Sequence, residues 1–447
     1  MRFGLLTFLL ISGFVSFSQE LFQNISFDEA LAKSQLEGKL IFLQFYSAEC
    51  TKCDELANKS FENDELAEQL TKTFICIRIT PDHKDRELVG ALYNISKGAG
   101  SLFIDQNKTL IHSFRMTTTK VAEYSKQINI ALSKAGESLK VNELDTEYKK
   151  GNRTIGFLEL YLQKRRTLSL TTDELLDEYV NLLPDDSIKS LRTIRFIAEM
   201  TPLLESKADQ VLRKDQRAFY RAVYLMTPQQ RAAIYTVMIG KSRRKAIQEK
   251  NEAYALKVAA FAQSTYMSNY QAGSKAYEST MLEFYRQTND SSKYLMKAIG
   301  YYDRFYMSVS VDSIKRKDSL TRARLFANAK VKDSLTDANK KPTTITFVPL
   351  TQSFSRNLNN GAWAFYKMTN NPYLLSLATE WVKKGLEFYE GPEALDTYSR
   401  LLYKQGQKNI AIEMEKKSID LRKKRGFPTM EFETTLEKMK KNNSIID

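Results

Sequence analysis

Gly38-Lys39-Leu40-Ile41-Phe42-Leu43-Gln44-Phe45-Tyr46-Ser47-Ala48-Glu49-Cys50-Thr51-Lys52-Cys53 decides how the first part of this chain folds. Leu40 to Tyr46 is mostly apolar, the pattern of a strand buried on both faces. The two cysteines follow directly, at the start of a stretch that reads as helix. In that setting the first sulfur lies over unpaired backbone N–H groups and the positive end of the helix dipole, which favour thiolate over thiol. The second sulfur, three residues on, is one helical turn away and within reach of a disulfide. Cys50 and Cys53 are the candidate reactive pair.

Working outward, Ser26-Phe27-Asp28-Glu29 is a capping box, with Ser26 and Glu29 able to satisfy each other's backbone N–H groups. It predicts a helix running to about Glu37 and stopping at Gly38. After the cysteines, a second helix begins near Asn63-Asp64-Glu65, and Phe74 to Thr80 makes a strand ended by Pro81. Asp85 to Tyr93 reads as helix and Leu102 to Ile104 as strand. Asp105-Gln106-Asn107-Lys108 is a turn, Thr109 to Phe114 closes the hairpin, and Lys120 to Ser133 is an amphipathic helix. This order predicts a mixed α/β domain around one small sheet.

These residues resemble a thioredoxin-like domain of the periplasmic type, in which the strand ends in aromatic-small-x-Cys-x-x-Cys. The resemblance is carried by Gly38 to Cys50, Ser60-Phe61, Phe74 and Ser101-Leu102-Phe103-Ile104-Asp105, and covers roughly a quarter of the 447 residues. It implies dithiol–disulfide exchange, with Cys50 as the exposed nucleophile and Cys53, deeper, as the resolving thiol.

Three positions depart from the family pattern. Ala99, within Lys97-Gly98-Ala99-Gly100-Ser101, stands where a cis-proline usually faces the cysteines. A cis peptide before alanine costs roughly 2.5–4 kcal/mol, so a trans or reshaped loop is expected. Gln44 replaces the acidic residue often found beneath the second cysteine, and glutamine cannot act as a general base at neutral pH. Glu49 replaces the tryptophan common before the first cysteine. Its carboxylate would raise the Cys50 pKa while Lys52 would lower it. These changes keep a second reading open: a non-catalytic thioredoxin-like module with a structural Cys50–Cys53 disulfide.

No metal or cofactor is expected. Zinc wants four ligands, and the two histidines, His83 and His112, show no ligand spacing to the pair. Both read as surface or strand residues. No phosphate-binding glycine loop or serine-nucleophile motif occurs. Cys76, in Thr73-Phe74-Ile75-Cys76-Ile77, reads as a buried strand residue behaving as a small hydrophobe.

Met1-Arg2, an apolar run from Phe3 to Val15 and Ser16-Phe17-Ser18 together predict a secretory signal over residues 1–18. The run is too short to span a bilayer. Export is therefore expected, to the periplasm first and to the exterior second, with no transmembrane segment after cleavage. The net charge of +14 is unevenly placed. Residues 19–140 hold 15 Lys and Arg against 17 Asp and Glu, so with Arg2 set aside residues 141–447 carry +15. Nucleic acid is a poor partner for an exported chain without a binding motif. A solvated, Lys-rich helical surface accounts for the excess, with an anionic surface or acidic partner as the alternative.

From Asn142 to Tyr306 apolar and aromatic residues recur three or four apart, as in Tyr254, Val258 and Phe261, which predicts packed helices. Asp312 to Lys341, with Lys315, Arg316, Lys317, Arg322 and Arg324, is a charged linker or exposed helix ended by Pro342. Near the C-terminus Tyr398-x3-Leu402-x3-Gly406-x4-Ala411 resembles a tetratricopeptide repeat, where small residues let paired helices touch and glycine permits the turn.

The expected organisation is a signal peptide (1–18), a thioredoxin-like α/β domain (19–140), an α-helical domain (141–310), the charged segment (311–345) and a tetratricopeptide-like all-α repeat region (346–447). The expected function is a periplasmic thiol–disulfide oxidoreductase whose helical repeats recruit protein clients bearing thiols or disulfides. The alternative is the protein-binding module without catalysis.

Overall fold

Ser26 starts the first helix through both halves of its capping box. Its hydroxyl accepts the Glu29 N–H at 3.2 Å, and the Glu29 carboxylate accepts the Ser26 N–H at 2.7 Å. The computed structural model describes residues 21–47, 50–95, 98–135, 141–266, 269–333 and 347–445. Helix α1 spans Phe27–Glu37 and ends at Gly38 in the left-handed region. There follow β1 (Leu40–Phe45), α2 (Thr51–Phe61), α3 (Asp64–Thr73), β2 (Phe74–Ile79), α4 (Arg86–Tyr93), β3 (Gly100–Ile104), β4 (Leu110–Phe114) and α5 (Val121–Ala135). The expected signal segment and Glu49 lie outside the described residues.

The four strands form one sheet in the order β2-β1-β3-β4. β1 runs parallel to β2 and antiparallel to β3, and β3 and β4 form the hairpin. β1 is therefore central, and its alternating side chains serve two faces. Ile41, Leu43 and Phe45 point to one side and Phe42 and Gln44 to the other, all fully buried. Phe42 is the hub of its face, with the rings of Phe22, Phe61, Phe74 and Phe103 at centroid distances of 5.3–6.3 Å. The hairpin turn is held by Asp105, whose Oδ1 accepts the N–H groups of Asn107 and Thr109, each at 2.9 Å. One contact is absent from the sequence reading: the Gln23 N–H donates to the Cys76 carbonyl at 2.9 Å, adding a parallel bridge at the outer edge of β2.

The rest of the described chain is helical: seven helices (α6–α12) between Val141 and Tyr224, then four (α13–α16) between Pro228 and Tyr302, ending in a π-helical turn, Asp303–Met307. α17 (Val311–Asp333) begins the charged segment, so its described part is helix. The chain divides into two compact units, the described residues up to Arg231 and those from Ala232 onward. That division falls inside α13 (Pro228–Gln248).

Within the second unit α18 (Leu350–Met368), α19 (Pro372–Phe388), α20 (Pro392–Lys404), α21 (Lys408–Lys424) and α22 (Met430–Lys440) follow one another with short connections. α18 packs on α19 and α20 on α21, and Gly406, at φ 82°, makes the turn between the latter pair. The α18 N-terminus is capped from another helix: Asp318 of α17 accepts the N–H groups of Leu350 (2.7 Å) and Thr351 (2.9 Å).

The α20–α21 contact also buries charge. Arg400 donates to Asp396 at 2.8 Å, to the Thr435 hydroxyl at 2.7 Å and to the Ile445 carbonyl at 3.4 Å, tying α20 to α22 and to the C-terminal segment. Glu415 of α21, fully buried, sits against this pair. Burial and the nearby Asp396 carboxylate push its pKa up to about 8.

Candidate functional site

β1 delivers the chain to the site and α2 receives it. The apolar strand is locked in mid-sheet, so its C-terminal end is a fixed point, and Tyr46 extends the pairing by donating its N–H to the Ile79 carbonyl at 2.9 Å. The Tyr46 hydroxyl reaches forward and donates to Asn58 of α2. Arg78 of β2 donates to the same Asn58 oxygen at 3.4 Å, with its guanidinium 4.1 Å from the Phe22 ring centre. Strand end and helix are thus tied together beneath the cysteines.

Cys50 is the N-cap residue of α2, and its Sγ accepts the Cys53 N–H at 3.2 Å. The Cys53 N–H also reaches the Cys50 carbonyl at 2.9 Å. This is the cap geometry in which a helix satisfies its first orphan donors, with sulfur in the place usually taken by a hydroxyl or carboxylate oxygen. Cys50 and Cys53 are joined as a disulfide with Cα atoms 5.3 Å apart. Both are half-buried. Positions 50 and 53 flank the first turn of one helix, so neither is carried into the core.

Beneath this turn, Gln44 is fully buried on the Phe42 face of β1. Its carbonyl oxygen accepts the Ser101 hydroxyl at 2.6 Å, and its amide nitrogen has no hydrogen-bond partner among the described residues. A buried donor without a partner is a cost of the order of 1–3 kcal/mol. The position is neutral at every pH of interest. Asp54, immediately after Cys53, is the acidic residue in the first turn of α2. Burial raises its carboxyl pKa, opposed by the Ser47 N–H and by Arg86. Sequence reasoning did not single out Asp54 or Arg86. Arg86 lies on α4, and only the fold brings it to the end of β1.

Ala99 is half-buried just before β3, and no peptide bond among the described residues is cis. Both histidines bond to residues other than the cysteines. His83 accepts the Asp85 N–H at 3.1 Å in the loop before α4. His112 is a buried strand residue, 2.7 Å from Gln127 and stacked on Phe103, and burial lowers its pKa. Among the described residues no three His, Cys, Asp or Glu side chains are placed to hold a metal ion. Cys76 is buried in β2, and burial pushes its thiol up to about 12.

A parallel–antiparallel four-stranded sheet with a Cys-x-x-Cys pair opening the helix after its central strand defines the thioredoxin-like class. Residues 24–101 match the family model Thioredox_DsbH, described as "Protein of unknown function, DUF255". The match takes in the cysteine pair and ends inside β3, so it leaves the long all-helical region outside. No curated protein matches the chain. No helix of the described residues is long and apolar enough to cross a membrane.

Proposed function

We propose that this chain is an exported thiol–disulfide oxidoreductase that works through Cys50 and Cys53, with its helical region recruiting protein clients. The observation that carries the reading is Cys50 at the N-cap of α2 with its sulfur on the Cys53 N–H. In the reduced protein that N–H and the helix N-terminus stabilise a Cys50 thiolate.

The thiolate attacks one sulfur of a client disulfide, forming a mixed disulfide and releasing the other client sulfur as thiolate. Cys53 then loses its proton to solvent or a nearby base and attacks Cys50 Sγ. The protein disulfide forms and the second client thiol leaves. Two electrons pass from the protein dithiol to the client disulfide, and the two client thiolates take up two protons. Run in reverse, the same steps oxidise a client dithiol. The signal-like N-terminus supports export, to the periplasm first, where such a pair can cycle. The helical repeats support client binding, because stacked repeats present extended surfaces.

One observation favours the second reading, a binding module with a structural disulfide: the buried position beneath the pair holds neutral Gln44, bonded to Ser101. Insulin reduction separates the two. The native protein should reduce insulin in the presence of a small dithiol well above the rate of a Cys50→Ala, Cys53→Ala variant. Equal rates would remove the enzymatic reading.

A further inference from the structure

The peptide unit joining Tyr46 to Ser47 is held at both ends by side chains from two different helices. Its carbonyl oxygen, on Tyr46, accepts Arg86 Nη1 of α4 at 2.9 Å. Its N–H, on Ser47, donates to Asp54 Oδ1 of α2 at 3.1 Å. The C=O and N–H of a trans peptide point in opposite directions, so the two side chains grip the chain from opposite sides. Arg86 is further fixed by its guanidinium, which lies 4.5 Å from the Phe45 ring centre. Ser47 and Asp54 are seven residues apart, and the bond between them closes a loop that contains both cysteines.

We propose that Asp54 is a positioning residue for the disulfide: by holding the Ser47 N–H, with Arg86 holding the other end of the same peptide, it fixes the approach of the chain to Cys50 and keeps Cys50 Sγ on the Cys53 N–H. The inference rests on the oxidoreductase reading of this pair and names what sets its thiolate. Three features carry it. Ser47 lies three positions before Cys50, the N-cap of α2, so the clamp acts on the stretch of chain that leads to it. The acceptor is in the same helix turn as Cys53, so the bond couples the approach of the chain to the helix start itself. Asp54 is half-buried, where a hydrogen bond is screened less by water than at the surface.

Asparagine and alanine at position 54 separate the bond from the charge. Both remove the carboxylate, and asparagine alone keeps an oxygen for the Ser47 N–H. In a Cys53→Ser background, the rate of iodoacetamide alkylation at Cys50 is followed against pH, by mass spectrometry of its peptide. Asp54→Ala should show a Cys50 pKa about one unit above that of Asp54→Asn. That is a tenfold smaller thiolate fraction, what one hydrogen bond to a charged sulfur is worth. Coincident profiles would overturn the proposal. Should Asp54→Ala not fold, hydrogen exchange of the Ser47 amide in the native protein decides. Protection matching the β1 amides supports the clamp, and exchange at the rate of an open loop overturns it. Neither readout needs turnover, so a failure of insulin reduction would count against the oxidoreductase reading and leave this result standing.

Discussion

Glu415 offers a sharp test of the helical region, because a carboxyl buried beside another carboxylate must hold its proton to be tolerated. It is fully buried on α21, and neither of its oxygens has a hydrogen bond of normal geometry among the described residues, although Ser399 and Asp396 lie beside it. Around the cluster stand Asp396 and Arg400 of α20, Glu431 of α22 and Tyr366 of α18. Arg400 offsets one negative charge, not two. Burial first, and then Asp396, push the Glu415 pKa from the ordinary 4.5 up to about 8.

A carboxyl whose pKa is raised on folding contributes stability that is complete below its ordinary value and is lost as pH climbs through the raised one. A tenfold change in proton affinity is worth about 1.4 kcal/mol. The full displacement has a ceiling of about 5 kcal/mol, of which roughly 2–3 kcal/mol falls between pH 6 and pH 9. The Glu415→Gln variant keeps the shape and cannot ionise. Its Tm should gain on the native protein by roughly 5–10 °C between pH 6 and pH 9, at about 2–4 °C per kcal/mol for a unit of this size. Tryptophan fluorescence is a selective probe, because the two tryptophans, Trp363 and Trp381, are both in the second compact unit. Parallel Tm profiles for the two proteins would show that Glu415 does not titrate in this range.

Cys76, buried with its thiol pushed up to about 12, should resist iodoacetamide at pH 8 in the folded, reduced protein while Cys50 reacts, and should be labelled once the protein is unfolded. Mass spectrometry of the three cysteine peptides checks this, and labelling of Cys76 at the rate of Cys50 would contradict it. Gly361→Ala should lower stability by about 1–3 kcal/mol, because a Cβ there would overlap the ring of Tyr302, itself wedged against Trp381. A fall in the fluorescence-detected Tm checks it. An unchanged Tm would mean that Tyr302 moves aside without cost.

Much of the fold was legible in the sequence, for local reasons. Ser26 and Glu29 announce a helix start through side chains three residues apart, and Leu40 to Phe45 announces a buried strand through its composition. Asp105 announces a turn through its own backbone bonds. Cys50 and Cys53 were legible as a pair because the strand end and helix start fix them together. What the sequence concealed depends on residues brought from a distance. Arg86 and Asp54 converge on one peptide although they lie 32 residues apart. Asp318 lies in a basic stretch, yet it caps α18. Nothing in the local sequence marks Glu415 and Asp396 as buried. Their burial follows from the packing of α20 against α21, which no local pattern specifies.

Covalent trapping shows whether Cys50 is the nucleophile of an exchange reaction. The reduced Cys53→Ser protein, offered a disulfide-bonded peptide, should accumulate a mixed disulfide on Cys50 that survives denaturation and is released by dithiothreitol, while the Cys50→Ser protein should accumulate far less. Equal adduct on the two proteins, or none on the Cys53→Ser protein, would show that Cys50 is not the nucleophile.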